Sequence, residues 1–344
     1  MGGKHSKCCC TAAVPGDVYV NMEFRTTPFA SVSGQVWKYD GATGANSLFY
    51  NPASGAINSM CADRSGNLYL GLGGVIRKID STGSVVWTIT PTSMQITRGL
   101  AVGKLGYLYA VGASSGGNAV RRRFYTSDGA EFTNPGSGWG TVSGTTLAFY
   151  CVCVDQNEIA HVGGRRNSTT PGFFDPNAWQ LAATGVINNE FRPTESWTRG
   201  NFNSVALNAA GTEIVYTCSH GVAAVESIFT LDPANYSGSY TAFAHGAQVL
   251  SSAYSPNGDQ YTAGRKNSGG VTVRRNTATY FSGEHAAAVG CGGDDSVFVG
   301  QLRPSASPNY SVLSVGVWGV DAGSQYNPVG FEPVTGRIGA FGNV

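Results

Sequence analysis

Few residues in this sequence stand at spacings that could do chemistry. Gly112-Ala-Ser114-Ser-Gly116 fits the G-x-S-x-G pattern of a nucleophile elbow, but such an elbow needs a helix behind the serine and no helical periodicity follows. His161, His220, His245 and His285 stand singly, far apart, without metal-ligand spacing. There is no H-E-x-x-H pair, phosphate-binding loop or dinucleotide fingerprint. Asp294-Asp295 is flanked by Gly and Ser, too few oxygens for the six to eight that calcium takes. The reading is a non-enzymatic chain with no catalytic residue, metal or cofactor.

A second group lies at the start, in Met-Gly2-Gly-Lys-His5-Ser6-Lys-Cys8-Cys9-Cys10-Thr-Ala-Ala-Val14-Pro15. It has no apolar run of signal-peptide length. Gly2 with Ser6 fits the myristoylation pattern, and Cys8, Cys9 and Cys10 could carry palmitate. His5 and the cysteines could instead meet a soft metal, although three adjacent ligands are poorly spaced to close a tetrahedral site. The stretch has one large aliphatic residue, Val14, after Met1, so it cannot offset its own ordering entropy. Residues 1–16 are therefore expected to be an assembly arm that docks on a partner, and 17–344 one domain.

The elements that would position such residues are short. Between Ile57 and Thr90, four apolar runs (Met60–Ala62, Leu68–Leu70, Val75–Ile79, Val85–Ile89) alternate with turns such as Asp63–Asn67. Asp and Asn bond their own backbone there, and Gly66 admits positive φ. This is an antiparallel meander. The first hairpin recurs at Gly99–Gly112, Tyr150–Gly163, Ser204–Tyr216, Ser252–Gly264 and Ala287–Gly300, with turns spaced by about 37–54 residues, the period of propeller blades. Strands at Asp17–Met22, Val36–Asp40 and Leu48–Asn51 precede the first complete unit, and Phe331–Phe341 reads as a turn between two strands. The expected fold is all-β: a seven-bladed β-propeller with six complete blades and one closed by N- and C-terminal strands, leaving no free sheet edge between the ends.

The longest irregular stretches are Thr133–Thr146, Asn167–Asn203 and Gln301–Tyr310. The middle one should hold an outer hairpin and a long loop. Its Phe173, Phe174, Trp179 and Trp197 are the candidate binding residues, since long loops on a rigid scaffold carry function, with a glycan as the candidate ligand; the equal alternative is that these aromatic residues only pin the loop to the ring. Basic residues recur at Arg77-Lys78, Arg121-Arg122-Arg123, Arg165-Arg166, Arg265-Lys266 and Arg274-Arg275. Adjacent strand residues face opposite ways, so no pair makes one patch, and solvated positions are expected. Net charge is +1 and 12% of residues are charged, so there is no broad field for nucleic acid. No 18-residue apolar run predicts a transmembrane helix. Cys61, Cys151, Cys153, Cys218 and Cys291 fall inside strand patterns and should pack as small hydrophobes.

Asp80-Ser-Thr-Gly83-Ser-Val-Val-Trp87, with the looser Asp40–Gly44 and Asp128-Gly129 copies, resembles the repeat of quinoprotein-like and WD-like propellers. That resemblance implies a fold; one such motif does not supply a cofactor pocket, so no quinone is expected. The few charges, the many Gly, Ser, Thr and Asn residues and the arm resemble bacteriophage structural proteins. This implies a virion component, a tail or capsid adaptor or decoration, whose partners are other subunits of an oligomeric assembly. The alternatives are a carbohydrate-binding or hydrolytic propeller using the 167–203 loop, and a lipid-anchored scaffold, cytoplasmic or attached to a membrane by acylation.

Overall fold

In the computed structural model the described residues are 18–24, 33–39, 46–52, 57–63, 65–133, 138–142, 148–167, 174–193, 200–219, 226–244, 247–254, 258–266, 271–276, 278–283, 286–291, 297–304, 311–318, 334–335 and 338–340. They form strands and turns, without a helix among them. The strands are β1 (Val18–Phe24), β2 (Ser33–Tyr39) and β3 (Asn46–Tyr50); β4 (Ser59–Ala62), β5 (Leu68–Leu72), β6 (Val75–Ile79) and β7 (Val85–Ile89); β8 (Ile96–Val102), β9 (Tyr107–Ala113), β10 (Ala119–Tyr125) and β11 (Gly140–Thr141); and β12 (Ala148–Val154), β13 (Ala160–Asn167), β14 (Phe174–Leu181) and β15 (Ile187–Phe191). They continue with β16 (Asn201–Leu207), β17 (Ile214–Ser219), β18 (Glu226–Leu231) and β19 (Tyr240–Ala244); β20 (Ala247–Tyr254), β21 (Gln260–Lys266), β22 (Val271–Arg275) and β23 (Ala278–Gly283); and β24 (Ala286–Cys291), β25 (Val297–Pro304), β26 (Ser311–Trp318), β27 (Val334–Thr335) and β28 (Ile338–Ala340).

These strands make seven four-stranded sheets. Six are sequential meanders from β4 to β27, and the seventh runs β28-β1-β2-β3. The first strands touch in succession, β4 to β8, β8 to β12, and on through β16, β20 and β24 to β28. They therefore surround the axis, and the fourth strands form the rim. The closing sheet pairs Val20 with Ala340 and Met22 with Ile338, so β28 takes the innermost place and β1 the second.

The C-terminal segment corrects one expectation. The two strands read there as flanking a turn belong to different sheets: β27 pairs with β26 as an outer strand, and β28 crosses to β1. The closing sheet thus takes three strands from the N-terminal region and one from the C-terminal region.

The core lies in the seams between sheets. Each described cluster mixes residues of two neighbours: Val36 with Met60 and Leu70, Tyr69 and Ile76 with Leu108 and Phe124, Tyr109 and Val111 with Phe149 and Trp179, Phe191 with Phe202 and Phe229, and Val215 with Val249. A meander with alternating side chains buries neither face alone, so stacking supplies the apolar area removed from water. Cys61, Cys151 and Cys218 are buried and Cys153 is partly so, all four with free thiols, as expected of core cysteine. Burial raises the Cys218 thiol to about 12.

Candidate functional site

Two layers of hydrogen bonds hold the sheets in place, and the site is built on them. The first sits at the turn between the first two strands. Asp63 accepts from the Ser65 N–H at 2.8 Å and, through its other oxygen, from the Tyr69 hydroxyl at 2.9 Å. Asp155 repeats this with the Asn157 N–H at 2.8 Å, and its Oδ2 lies 3.7 Å from His161 Nε2. Burial pushes the Asp155 carboxyl up; the nearby His161 ring and the N–H bonds from Ile159 and Asn157 outweigh it and leave the net shift downward. In the second repeat the same place holds Gly103, which has no carboxylate. Glu158 of the next sheet reaches across instead, accepting from the Leu105 N–H at 2.7 Å and the Tyr109 hydroxyl at 2.6 Å. A Cβ on Gly103 would stand 2.2 Å from Glu158 Oε2.

The second layer ties three of the third strands, β6, β10 and β14, to the next sheet's outer turn. Lys78 Nζ and Trp87 Nε1 both donate to the Thr126 carbonyl, at 2.8 and 3.3 Å. Arg123 Nη1 and Trp139 Nε1 both donate to the Ala183 carbonyl, at 2.6 and 2.9 Å. Gln180 Nε2 donates to the Pro233 carbonyl at 2.8 Å. Lys78, Arg123 and Gln180 are the cross-strand partners of Tyr69, Tyr109 and His161. Trp87, which carried the quinoprotein-like resemblance, is thus an inter-sheet tie, and Asp80 caps its own turn through the Thr82 and Ser84 N–H groups.

With the turns and seams fixed, a bulge in the first strand re-aims one residue per sheet. The ladder skips Arg98 in β8, Tyr150 in β12, Asn203 in β16, Leu250 in β20 and Ala287 in β24. Asn58 holds the same place relative to the Asp63 turn. Bulges of this kind redirect side chains at barrel rims and beside active sites. The skipped positions lie toward the starts of the innermost strands, and so toward one end of the axis. There the Arg98 guanidinium lies 4.3 Å from the Tyr150 ring centre, and that of Arg165 lies 5.7 Å from it. Contacts of this type contribute about 0.5–2 kcal/mol each, according to how far they are desolvated. Arg98 is half-buried, and its Nη1 is shielded from solvent with no hydrogen-bond partner among the described residues. In the next sheet, the Asn201 amide donates to Asn203 Oδ1. The arrangement brings two guanidinium groups to one aromatic ring.

The residues expected to form a site fall elsewhere. Gly2, His5, Cys8, Cys9 and Cys10 lie outside the described residues, as do Phe173, Trp197 and Asp294-Asp295. Trp179 is not in a loop: it is 2% exposed on β14 and meets Phe149 edge to face at 5.1 Å. Phe174 opens the same strand, paired with Asn167. Asn167–Asn203 contains the expected outer hairpin, β14 and β15. Ser114 sits in a turn between β9 and β10, where its hydroxyl accepts the Asn118 N–H at 3.2 Å. Basic pairs do split between faces, Arg77 bonding Thr88 and Lys78 reaching Thr126. Arg121 and Arg123 correct the solvated reading, being 8% and 6% exposed. Burial lowers Arg121 to about 10, and Arg123 stacks 3.7 Å from the Phe132 ring centre. The described residues contain no cluster of three metal-ligating side chains and no helix long and apolar enough to cross a membrane.

The rim of the fold is the second exposed feature. β3 and β7 are edge strands without a charged residue. Leu48 is 47% exposed, and Val85 and Val86 are 49% exposed each. The two edges are neighbours, since a Cβ on Gly83 would meet the Phe49 carbonyl at 2.7 Å.

No protein-family model matches the chain, and no curated protein matches it. Solved structures do. The WD40 domain of Neurospora crassa Pan2 superposes with a TM-score of 0.58 at 10% identity, covering 93% of this chain and 90% of that one. The β-propeller domain of Myceliophteria thermophila Cps50 (Swd1) gives 0.58 at 13%, covering 93% and 98%. A chain of a nidogen/laminin complex gives 0.51 at 10%, covering 77% and 93%. At such identities the likeness shows the fold alone, and that fold is a β-propeller.

Proposed function

We propose that the chain is a non-enzymatic assembly propeller that binds protein partners through its rim, and more finely that it is a virion component, a tail or capsid adaptor located in the particle, with residues 1–16 as its connector. The observation that carries the reading is the pair of adjacent edge strands, β3 and β7, which expose Leu48, Val85 and Val86 and carry no charge. Edge strands otherwise are blunted with lysine or proline, because an open ladder templates pairing with another chain. Propeller architecture and a sequence of 12% charged residues agree with a rigid body held among other subunits. The test is sedimentation of the full chain in lysate from its source particle, beside Leu48→Lys/Val86→Lys and a deletion of residues 2–15. The wild type should travel with the particle, and both variants should fold and stay in the light fractions. Wild type found only as free monomer overturns the assembly reading. Loss of membrane attachment in the deletion selects an acylated anchor at Gly2 and Cys8–Cys10 instead.

A further inference from the structure

The bulged end of the axis has chemistry that the rim reading does not use. Arg98 and Arg165 bring two guanidinium groups to the single Tyr150 ring. They come from different sheets, Arg98 from β8 and Arg165 from β13, with Tyr150 on β12 in contact with both strands. No described ion pair reaches Arg98; Arg122, Arg166, Arg192 and Arg275 each meet a carboxylate. A shielded guanidinium nitrogen without an acceptor is costly and calls for a partner. Stacking on an aromatic face leaves the edge of the guanidinium plane open, and that edge matches a planar or tetrahedral oxyanion through two parallel hydrogen bonds. Two facts set Arg98 apart from the other arginines of the fold. It lies at the bulge, where it leaves the ladder, and its guanidinium meets Tyr150 of the neighbouring sheet.

We propose that Arg98, Tyr150 and Arg165 form an oxyanion-binding site at this end of the axis, which takes the acidic side chain of a peptide, a carboxylate or a phosphoserine. The peptide enters along the axis, with its anion against the Arg98 fork. This inference is independent of the β3–β7 rim. The test is fluorescence anisotropy with two labelled probes, a hexaglutamate peptide and a glycine–serine hexapeptide bearing one phosphoserine. Wild type should bind one or both below about 1 mM, with affinity falling as salt rises. Arg98→Gln and Arg165→Gln should each weaken binding at least about tenfold, the loss of a charge-assisted hydrogen bond. Arg98→Lys keeps charge but loses the fork, and should weaken it less; it also serves if the glutamine variant is unstable by thermal melt. Arg192→Gln, which removes an exposed arginine paired with Asp175, should change nothing. Leu48→Lys/Val86→Lys should bind the probes normally, which separates this site from the assembly reading. Binding of the hexaglutamate alone identifies a carboxylate, and of the phosphoserine probe alone a phosphate. No binding of either probe below about 1 mM, or unchanged binding by folded Arg98→Gln, overturns the site.

Discussion

Exchanging the carboxylate between Gly103 and Glu158 tests how the sheets are held. In two of the four described turns between first and second strands the chain carries its own side-chain acceptor, Asp63 or Asn208, and a glycine three residues on, Gly66 (φ 78) or Gly211 (φ 70). The second repeat has Gly103 where the acceptor belongs, and the third has Glu158, at φ 61, where the glycine belongs. Both departures are answered by one contact, Glu158 to Leu105 and Tyr109. Glu158→Gly leaves the fully buried Tyr109 hydroxyl without that acceptor, a cost of about 1–3 kcal/mol. Relief of the left-handed backbone returns about 1 kcal/mol. The Leu105 amide adds little, because that residue is 70% exposed and water can serve it. Gly103→Asp alone forces a Cβ to within 2.2 Å of Glu158 Oε2 and sets a second carboxylate beside the first, so about 2–4 kcal/mol is lost through overpacking and like charge. Together the changes should nearly cancel. The carboxylate introduced at position 103 would then reach Leu105 and Tyr109 as Asp63 reaches Ser65 and Tyr69. Urea denaturation of the four proteins gives the coupling directly; single costs of about 0–2 and 2–4 kcal/mol with a double near zero put it at about 2–6 kcal/mol in favour of the double variant. Costs that add to within about 0.5 kcal/mol would refute the exchange.

Three further outcomes follow from the same geometry. The native thiols of Cys61, Cys151 and Cys218 should resist a disulfide reagent at pH 8 and react on unfolding, since burial raises Cys151 and Cys218 above the ordinary thiol range; rapid native reaction would contradict the seams. Stability should fall on acidification below about pH 4, because the carboxyls of Asp259, held down by Arg275, and Asp155 are depressed in the folded chain. Their contribution is present above the unfolded value and lost as pH falls through the folded one, so Asp259→Asn should flatten the acid limb of a urea-midpoint profile. Gly129→Ala should cost about 2 kcal/mol by urea denaturation, as Gly129 has φ 74 and an added Cβ would stand 2.8 Å from Ile89 Cγ2.

What was legible in the sequence was whatever repeats. The alternation Met60–Ala62, the turn at Asp63–Asn67 and its later copies located the first hairpins, and the orphan strands at both ends implied closure. What was hidden depended on contacts between repeats. Trp179 follows Pro176 and Asn177 in a stretch without clear strand alternation, and only its pairing with Val162 shows that it faces Phe149. Arg121 and Arg123 read as surface charge; both are buried because a neighbouring turn supplies the Gly138 and Ala183 carbonyls. Phe331–Phe341 reads as one hairpin because local propensity cannot report that its two strands join different sheets. The Glu158 exchange did leave a trace, two mismatched positions in adjacent copies, which an alignment of the turns brings out.

The same alignment separates the positions that hold the fold from those free to vary. In three of the sheets the ring residue after the turn is Tyr69, Tyr109 or His161, each beside a carboxylate and each facing a donor that crosses to the next sheet. Chemistry there is constrained, because the side chain is buried and loss of any member strands another polar group. The bulge position obeys the opposite rule. Its backbone departure recurs in β8, β12, β16, β20 and β24, yet the residues are Arg98, Tyr150, Asn203, Leu250 and Ala287. Among the bulge residues whose side chains are described, Arg98 and Tyr150 come from neighbouring sheets and meet at 4.3 Å, and the proposed oxyanion site is built on that contact.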